Sequence, residues 1–210
     1  MIYQGQHIAN IIFDLGGVIL NIDYQLPVKA FERLGLEDFQ QKFSQARQQA
    51  LFDDYEKGKI SSSAFVQQLK TQLPPEVTEE QIIDAWNSIL LDLPEERLFI
   101  LEKAALNHRT FLLSNTNDLH IRSFNNYLKS TFGLDSLAGY FEKYYYSYQV
   151  GMRKPDIVIF EHVLNDAGLD AATTLFIDDS IQHVMAARSC GMLSHHLQKE
   201  DLPVFLADKL

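Results

Sequence analysis

The sequence predicts an α/β fold: a Rossmann-like parallel sheet core with helices on both faces, plus an inserted all-helical cap. Three observations support this prediction: short apolar runs that end at polar residues, helical patterns that follow them, and a long helical stretch after the first run. We assign residues 1–20 and 107–210 to the core, and residues 21–106 to the cap. Because ligands of such sheets bind beyond the carboxyl ends of the strands, the functional site is expected there.

Four apolar runs are predicted as buried strands, and helical patterns follow three of them. Gly168 and Gly191 stand where two of these helices should end, and a further short apolar stretch follows Gly191. The predicted strands are Ile8–Phe13, Thr110–Ser114, Tyr144–Tyr148 and Leu175–Asp178. The predicted helices are Leu119–Leu128, Asp156–Ala167 and Ile181–Cys190.

Between residues 21 and 106 the pattern predicts a bundle of four or five helices. The chain should break around Gly58-Lys59-Ile60-Ser61, Leu73-Pro74-Pro75 and Asp92-Leu93-Pro94, with Ser61 capping the helix that follows it. A bundle inserted beside a catalytic strand end is a natural lid over the site. The alternative is that these helices complete the main core.

Composition narrows the function classes. The chain has 210 residues, of which 46% are hydrophobic, enough for a sizeable core, and its formal net charge is −10. That charge argues against nucleic acid or an anionic membrane surface as a partner. The first residues lack the basic region of a signal peptide, and no uncharged apolar stretch approaches the ~20 residues of a membrane span. We therefore expect a cytoplasmic protein, and the oligomeric state stays open.

Carboxylates follow two of the predicted strands. Asp14 comes directly after the first strand, and Asp178 and Asp179 end the fourth. If these strands are neighbours, the three carboxylates meet at one edge and repel each other unless a hard cation such as Mg²⁺ lies among them. The alternative is that they cap the helices that follow.

Two further strand ends carry groups suited to phosphate. The Ser114 hydroxyl and the Asn115 main-chain N–H could donate to a phosphate oxygen, although a simple capping turn is the alternative. His120 lies one turn into the following helix. Lys154 precedes a proline, and a fixed ammonium there could balance the charge of phosphate and carboxylates.

Taken in order, the strand ends carry Asp, then Ser, then Lys, then Asp-Asp. This resembles the haloacid dehalogenase (HAD) superfamily, whose four motifs occur in that order, and the resemblance covers nearly the whole chain. Residues 21–106 resemble the helical cap that many members insert between the first two motifs. The runs Asp-Leu-Gly-X-Val, Ser-Asn-Thr-Asn-X-X-His and Gly-Met-Arg-Lys-Pro resemble a subgroup of sugar-phosphate phosphatases, that of the bacterial α-glucose-1-phosphate phosphatase.

The resemblance implies a Mg²⁺-dependent phosphatase that hydrolyses a small phosphorylated metabolite, a sugar phosphate among the candidates, through an aspartyl phosphate. It makes Asp14 the nucleophile and a metal ligand, and the main-chain carbonyl of Gly16 a second ligand. Of the acidic pair, Asp179 would bind the metal directly, with Asp178 beside it or in the outer shell. The residues implied in phosphoryl binding are Ser114, Asn115 and Lys154.

The chain departs from the family pattern at Gly16. Most phosphatases of the superfamily carry there an aspartate that protonates the leaving oxygen and later activates water. Turnover is then slow, or the leaving group needs little protonation, or another residue substitutes; the candidates are His120, Asp23 and His183. A binding module with little turnover is the main alternative, and a phosphomutase is a weaker one because mutases also need that aspartate.

Substrate selection is expected to come from cap side chains that face the site. Four residues are candidates from their position alone, and an arginine among them could bind a distal polar or anionic group. They are Tyr24, Phe43, Arg47 and Phe52.

Overall fold

The computed structural model describes residues 1–36, 39, 43–44, 47–48, 50–198 and 200–210. For residues 43, 44, 47 and 48 it describes the backbone only. The side chains of Phe43 and Arg47, two of the candidates for substrate selection, therefore lie outside the described part of the structure.

The described strands form one five-stranded sheet and two small hairpins. The large sheet is wholly parallel, with the order β7-β6-β3-β8-β9, and the hairpins are β1-β2 and β4-β5. The strands are β1 (Ile2–Tyr3), β2 (Gln6–His7), β3 (Asn10–Phe13), β4 (Phe43–Ser44), β5 (Arg47–Gln48), β6 (Arg109–Ser114), β7 (Lys143–Tyr146), β8 (Thr174–Asp178) and β9 (Leu193–His196).

Helices cover both faces of the large sheet and build most of the cap. The helices are α1 (Gln25–Arg33), α2 (Ala50–Glu56), α3 (Ser62–Lys70), α4 (Glu79–Asn87), α5 (Glu95–Asn107), α6 (Asp118–Phe132), α7 (Ser147–Val150), α8 (Ile157–Ala167), α9 (Ile181–Ser189) and α10 (Leu202–Leu206). Two 3₁₀ turns, Ala138–Tyr140 and Ala171–Thr173, complete the described set.

The predicted fold class is confirmed, including the order of strands and helices in the core. Side chains of β3 alternate between the two faces: Ile11 and Phe13 pack in one buried cluster, and Ile12 in the other. Burial on both faces explains why this strand is a continuous apolar run in the sequence. The β4-β5 hairpin lies in the segment expected to be all-helical, so the described cap is not helical throughout.

Strand β7 is shorter than predicted. The strand ends at Tyr146, and the chain turns directly into α7, whereas the aromatic run suggested a strand through Tyr148. Ser147 accounts for the change, because its Oγ accepts from the Thr116 main-chain N–H at 3.0 Å and donates to the Thr116 carbonyl at 2.9 Å. This pair of bonds fixes the end of β7 against the loop after β6.

The cap has its own hydrophobic cluster, which is rich in aromatic rings. Tyr55 stacks on Phe65 with ring centroids 4.1 Å apart, and Trp86 packs on both Phe65 and Phe52. Phe52 is thus a buried cap residue (2% exposed). The predicted breaks between cap helices fall between α2 and α5, and Ser61 caps α3 by accepting from the Ala64 N–H, as expected.

Helix α5 packs against the core. Its buried residues Leu98, Leu101 and Ala104 lie in the cluster that holds β3, and α5 contacts β6 and α10. The boundary after residue 106 stays a prediction, and on this packing we propose to move it to about Leu93. Among the described helices, none is long and apolar enough to cross a membrane.

Candidate active site

The carboxyl edge of the sheet brings the predicted acidic residues together. Strand β3 runs parallel between β6 and β8, so Asp14 after β3 lies beside the ends of both neighbours. Oxygens of Asp14, Asp178 and Asp179 all lie within 4.8 Å of one another. Asp178 Oδ1 also accepts from the Ser180 N–H at 2.8 Å, at the start of α9.

Lys154 joins the third motif to these carboxylates. Its side chain is fully buried (0% exposed), and Nζ donates to Asp14 Oδ1 at 2.7 Å, Asp178 Oδ2 at 2.6 Å and the Leu113 carbonyl at 3.0 Å. An ammonium has three donors, and all three are satisfied here. Burying a charge is costly unless it is paired and hydrogen-bonded, so this arrangement holds Lys154 in one place.

The three carboxyl groups experience different surroundings. Burial raises the pKa of Asp14 above its usual range, and repulsion from Asp178 and Asp179 adds to this while Lys154 opposes it. Burial would also raise the pKa of Asp178, but Lys154 and His183 outweigh it and hold that pKa below the usual range. For Asp179, burial and the charge of Asp178 raise the pKa to about 6. Asp14 and Asp179 are therefore the carboxylates whose charges are least compensated by the protein.

A divalent cation fits this cluster. Three convergent carboxylates, two with raised pKa values, supply the oxygen ligands that Mg²⁺ prefers, and a cation would remove their repulsion. Gly17 allows Asp179 to reach the cluster: its φ is +78°, and a Cβ there would lie 2.3 Å from Asp179 Oδ2. Gly17 thus leaves room for the Asp179 side chain in addition to allowing the backbone to turn. Gly16, whose carbonyl the family resemblance makes a ligand, borders the same cavity.

The loop after β6 is tied to the third motif. Asn115 Oδ1 accepts from the Lys154 main-chain N–H at 2.9 Å, and Asn115 Nδ2 donates to the Lys154 carbonyl at 2.8 Å. The Asn115 side chain is therefore structural, which leaves the role predicted for this residue to its main-chain N–H. Ser114 ends β6 and, like Asn115, borders the cavity.

The site opens into a cavity of about 370 Å³ between core and cap. Three charged residues that form ion pairs line this cavity. Arg153 Nη1 contacts Asp53 Oδ1 at 2.7 Å, and Nη2 contacts Glu56 Oε2 at 3.0 Å. Tyr24 lines the same cavity, as its position in the sequence suggested, and burial together with nearby carboxylates raises the pKa of its phenol. The cavity is large enough for a small metabolite and offers polar groups on both sides.

The three candidate substitutes for an acid at Gly16 occupy different places. Asp23 accepts from the Gln25 N–H at 2.8 Å before α1, and it is not among the residues that line the cavity. His183 borders the cavity with Nδ1 held 3.0 Å from both carboxylate oxygens of Asp178. His120 also borders the cavity, but both its ring nitrogens contact protein groups, and burial lowers its pKa to about 4.

Some residues of the cavity were not found from the sequence. Arg153 is one of them, and it forms ion pairs with two acidic residues of the cap. Its partners Asp53 and Glu56 were not identified from the sequence, because acidic residues on a predicted helix usually belong to its solvent-exposed face. Outside the lining, Trp86 Nε1 donates to Asn117 Oδ1 at 3.3 Å and joins the cap to the core, a contact between residues 31 positions apart that no sequence pattern indicated.

Comparisons with known proteins agree with this geometry. Residues 8–191 match the family model of haloacid dehalogenase-like hydrolases. A D-ribitol-5-phosphate phosphatase from Bacteroides thetaiotaomicron is 33% identical over 184 residues, which cover 88% of this chain and 89% of the relative.

Solved structures give the same result. A HAD family enzyme from Bacteroides thetaiotaomicron, in complex with magnesium and inorganic phosphate, superposes with a TM-score of 0.87 at 34% identity, covering 95% of this chain and 98% of the other. A HAD-like hydrolase from Porphyromonas gingivalis superposes with a TM-score of 0.86 at 29% identity, covering 97% and 98%.

Fold and site define a capped α/β hydrolase with a cluster of three carboxyl groups at the carboxyl edge of a parallel sheet. The chain belongs to the haloacid dehalogenase-like hydrolase family. The predictions of this family, of a phosphomonoester hydrolase and of magnesium as the cofactor are confirmed. The predicted subgroup, that of the α-glucose-1-phosphate phosphatase, stays a prediction.

Proposed function

We propose that Asp14 is the nucleophile of a magnesium-dependent phosphatase that acts on a small phosphorylated polyol or sugar. The observation that carries this proposal is the buried Lys154 ammonium, which donates to both Asp14 and Asp178 at the carboxyl edge of the sheet. The neighbouring Asp179 completes a set of carboxylates suited to Mg²⁺.

The reaction begins with attack by a carboxylate oxygen of Asp14 on phosphorus. A P–O bond to Asp14 forms while the bond between phosphorus and the substrate oxygen breaks, which gives an aspartyl phosphate. Lys154, the Ser114 hydroxyl and the Asn115 main-chain N–H stabilise the charge on the phosphoryl oxygens. Water then attacks phosphorus, releases inorganic phosphate and regenerates Asp14.

Asp14, Asp179 and the Gly16 carbonyl would hold the metal, with Asp178 in the outer shell because its oxygens are already engaged by Lys154, His183 and Ser180. When bound, Mg²⁺ reduces the repulsion between a carboxylate nucleophile and a phosphate dianion.

The departing oxygen takes up a proton as its bond to phosphorus breaks. Gly16 supplies none, and Asp23 lies outside the cavity wall. His183 is the candidate that both borders the cavity and is oriented by a carboxylate, so His183→Gln is the first variant in which to look for a lost acid. An easily displaced leaving group, such as an anomeric or acyl phosphate, would remove the need for one.

The substrate class follows from the cavity and from the relative. A volume of about 370 Å³ suits a phosphate with a short carbon chain, and the carboxylates of Asp53 and Glu56 can accept hydrogen bonds from hydroxyl groups. D-Ribitol 5-phosphate, the substrate named for the similar enzyme, has both properties. A cytoplasmic location and the absence of nucleic acid and membrane partners stay predictions.

The test is hydrolysis of a phosphate panel with Mg²⁺ and with EDTA. The panel contains D-ribitol 5-phosphate, glucose 6-phosphate, α-glucose 1-phosphate and an acyl phosphate. We expect Mg²⁺-dependent turnover in the wild type and none above background in Asp14→Asn. Asp54→Asn is the matched control, because Asp54 is an exposed cap carboxylate paired with Lys59.

The outcomes separate the alternatives. Metal-dependent turnover that survives in Asp14→Asn would contradict the proposed nucleophile. A wild-type protein that binds Mg²⁺ and phosphate but turns over no panel member would favour the binding module. Preference for anomeric and acyl phosphates would indicate that the enzyme tolerates the missing acid at position 16 because its substrates have an easily displaced leaving group.

A further inference from the structure

The stretch Asn117–His120, at the start of α6, is docked on the cap through every one of its residues. The first of these residues, Asn117, is also the last residue of the phosphate-binding loop, here residues 114–117. The contacts are Trp86 Nε1 to Asn117 Oδ1 (3.3 Å), Ser62 Oγ to Asp118 Oδ2 (2.8 Å), the Leu119 N–H to the Tyr55 hydroxyl (3.3 Å), and the ring of His120 stacked on Trp86 with centroids 4.9 Å apart and planes at 15°.

Asn117 has only one amide orientation that satisfies its neighbours. Its Oδ1 accepts from the His120 main-chain N–H at 3.1 Å as well as from Trp86 Nε1. Two donors therefore point at Oδ1, and turning the amide over would place an NH₂ group against both. Nδ2 is thus the atom that lies 3.0 Å from His120 Nδ1.

The orientation of Asn117 in turn fixes the proton on His120. Nδ1 of His120 accepts from the Asn117 amide, so the ring proton lies on Nε2, which donates to the Trp86 carbonyl at 3.3 Å. A second proton on Nδ1 would face the NH₂ group. The ring is therefore neutral, and transferring its proton would break its contact with the cap.

The same loop is held from its other side by Lys154. Asn115 makes two hydrogen bonds to the main chain of Lys154, and Asn117, two residues later, contacts the cap. Asn115 thus connects the loop to Lys154, and Asn117 connects it to cap helix α4.

We infer that His120 is a positioning residue: it seats Trp86 of the cap on the phosphate-binding loop and so sets the positions of Ser114 and the Asn115 N–H. This inference rests on the proposed function. It assigns the second-motif histidine to placement of the loop and not to proton transfer.

Two substitutions of His120 separate these roles. Glutamine can accept through Oε1 and donate through Nε2, so His120→Gln keeps both hydrogen bonds, though not the ring stack, and cannot act as an acid near neutral pH. We expect it to retain most of the wild-type kcat/KM and an unchanged pH profile. His120→Ala loses both contacts and should lower kcat/KM by about 100-fold through misplacement of the loop, with weaker inhibition by inorganic phosphate.

His162→Ala is the matched control, because His162 contacts Tyr145 on the far side of the sheet and should leave activity unchanged. Equal losses in His120→Gln and His120→Ala, with one limb of the pH profile gone, would show proton transfer and overturn the inference. Full activity in His120→Ala would overturn it as well. If His120→Ala does not fold, Trp86→Phe is the substitute, because it keeps an aromatic ring but loses the donor to Asn117. Unchanged inhibition of Trp86→Phe by inorganic phosphate would overturn the inference.

The single tryptophan provides a readout that does not need turnover. We expect Mg²⁺ with inorganic phosphate to change the fluorescence of Trp86 in the wild type and in His120→Gln, and to change it much less in His120→Ala. A wild-type signal that does not respond to phosphate would overturn the inference. A responsive signal without hydrolysis of any substrate would contradict the proposed function and leave the inference standing.

Discussion

The two sides of the phosphate-binding loop are held by opposite kinds of contact. Toward the sheet, Lys154 is buried with Asp14 and Asp178, so full charges meet at distances below 3 Å. Toward the cap, Trp86 and His120 meet through a ring stack and neutral hydrogen bonds. The difference indicates that charge is concentrated where a phosphate dianion must react, and that the cap is attached around Trp86 by neutral contacts. Its charged contacts with the core, from Asp53 and Glu56 to Arg153, lie elsewhere along the cavity.

The largest effect is expected from removing the buried cation. Lys154→Met keeps the length of the side chain but leaves Asp14 and Asp178 facing each other without their shared ammonium. We expect kcat to fall by about 10³-fold, as for loss of a major stabilising donor, and stability to fall by about 3 kcal/mol. Steady-state kinetics and thermal unfolding with and without Mg²⁺ measure both effects.

Lys59→Met is the control for this substitution, since Lys59 makes an exposed pair with Asp54 and should contribute little. A Lys154→Met protein with near wild-type kcat would mean that the charged side of the loop does not act on the phosphoryl group. The proposed difference between the two sides of the loop would then be wrong for the charged side.

A smaller effect is expected where the backbone admits Asp179. In Gly17→Ala the new Cβ would lie 2.3 Å from Asp179 Oδ2, so that carboxylate must leave its place in the cluster. We expect a loss of about 10- to 100-fold in Mg²⁺ affinity, measured by calorimetry and by the Mg²⁺ dependence of turnover.

Gly133→Ala separates the backbone cost from the contact. Gly133 at the end of α6 also has a positive φ, +70°, but a Cβ there meets nothing within 4 Å. Both variants should lose similar backbone stability, and only Gly17→Ala should lose metal. Equal Mg²⁺ affinity in the two proteins would show that Asp179 is not a ligand.

Much of the charged side could be predicted from the sequence, whereas little of the cap contact could. Asp14, Ser114 and the pair Asp178-Asp179 each follow an apolar run, and parallel strands bring such ends together. No comparable rule pairs Arg153 with Asp53, 100 residues away, or Trp86 with Asn117, since these contacts depend on how the cap lies on the core.

His120 shows the limit most clearly. Its place one turn into α6 suggested a substitute acid, and only the orientation of Asn117 reveals that its Nδ1 is already an acceptor. The helix bounds were within a residue or two at their starts, but α6 runs four residues beyond its predicted end because Gly133, in the left-handed region, is what terminates it. Hydrogen-bond partners are tertiary information that a periodic pattern does not contain, whereas Gly133, like Gly168 after α8, is a helix-end signal that the sequence does contain.

The last effect concerns the pH dependence of stability. Burial lowers the pKa of His120 to about 4, below the ~6.5 of an unfolded histidine, so between these values the unfolded chain binds the extra proton. Stability from this residue is therefore complete above pH 6.5 and falls as the pH drops toward 4. In His120→Gln this contribution is absent, so relative to the variant the wild type should lose about 2–3 kcal/mol between pH 7 and pH 4.5. Denaturant unfolding of both proteins at the two pH values measures the difference, in which the carboxylates common to both cancel. A constant difference would mean that His120 accepts a proton while docked, and the cap contact would then not be neutral.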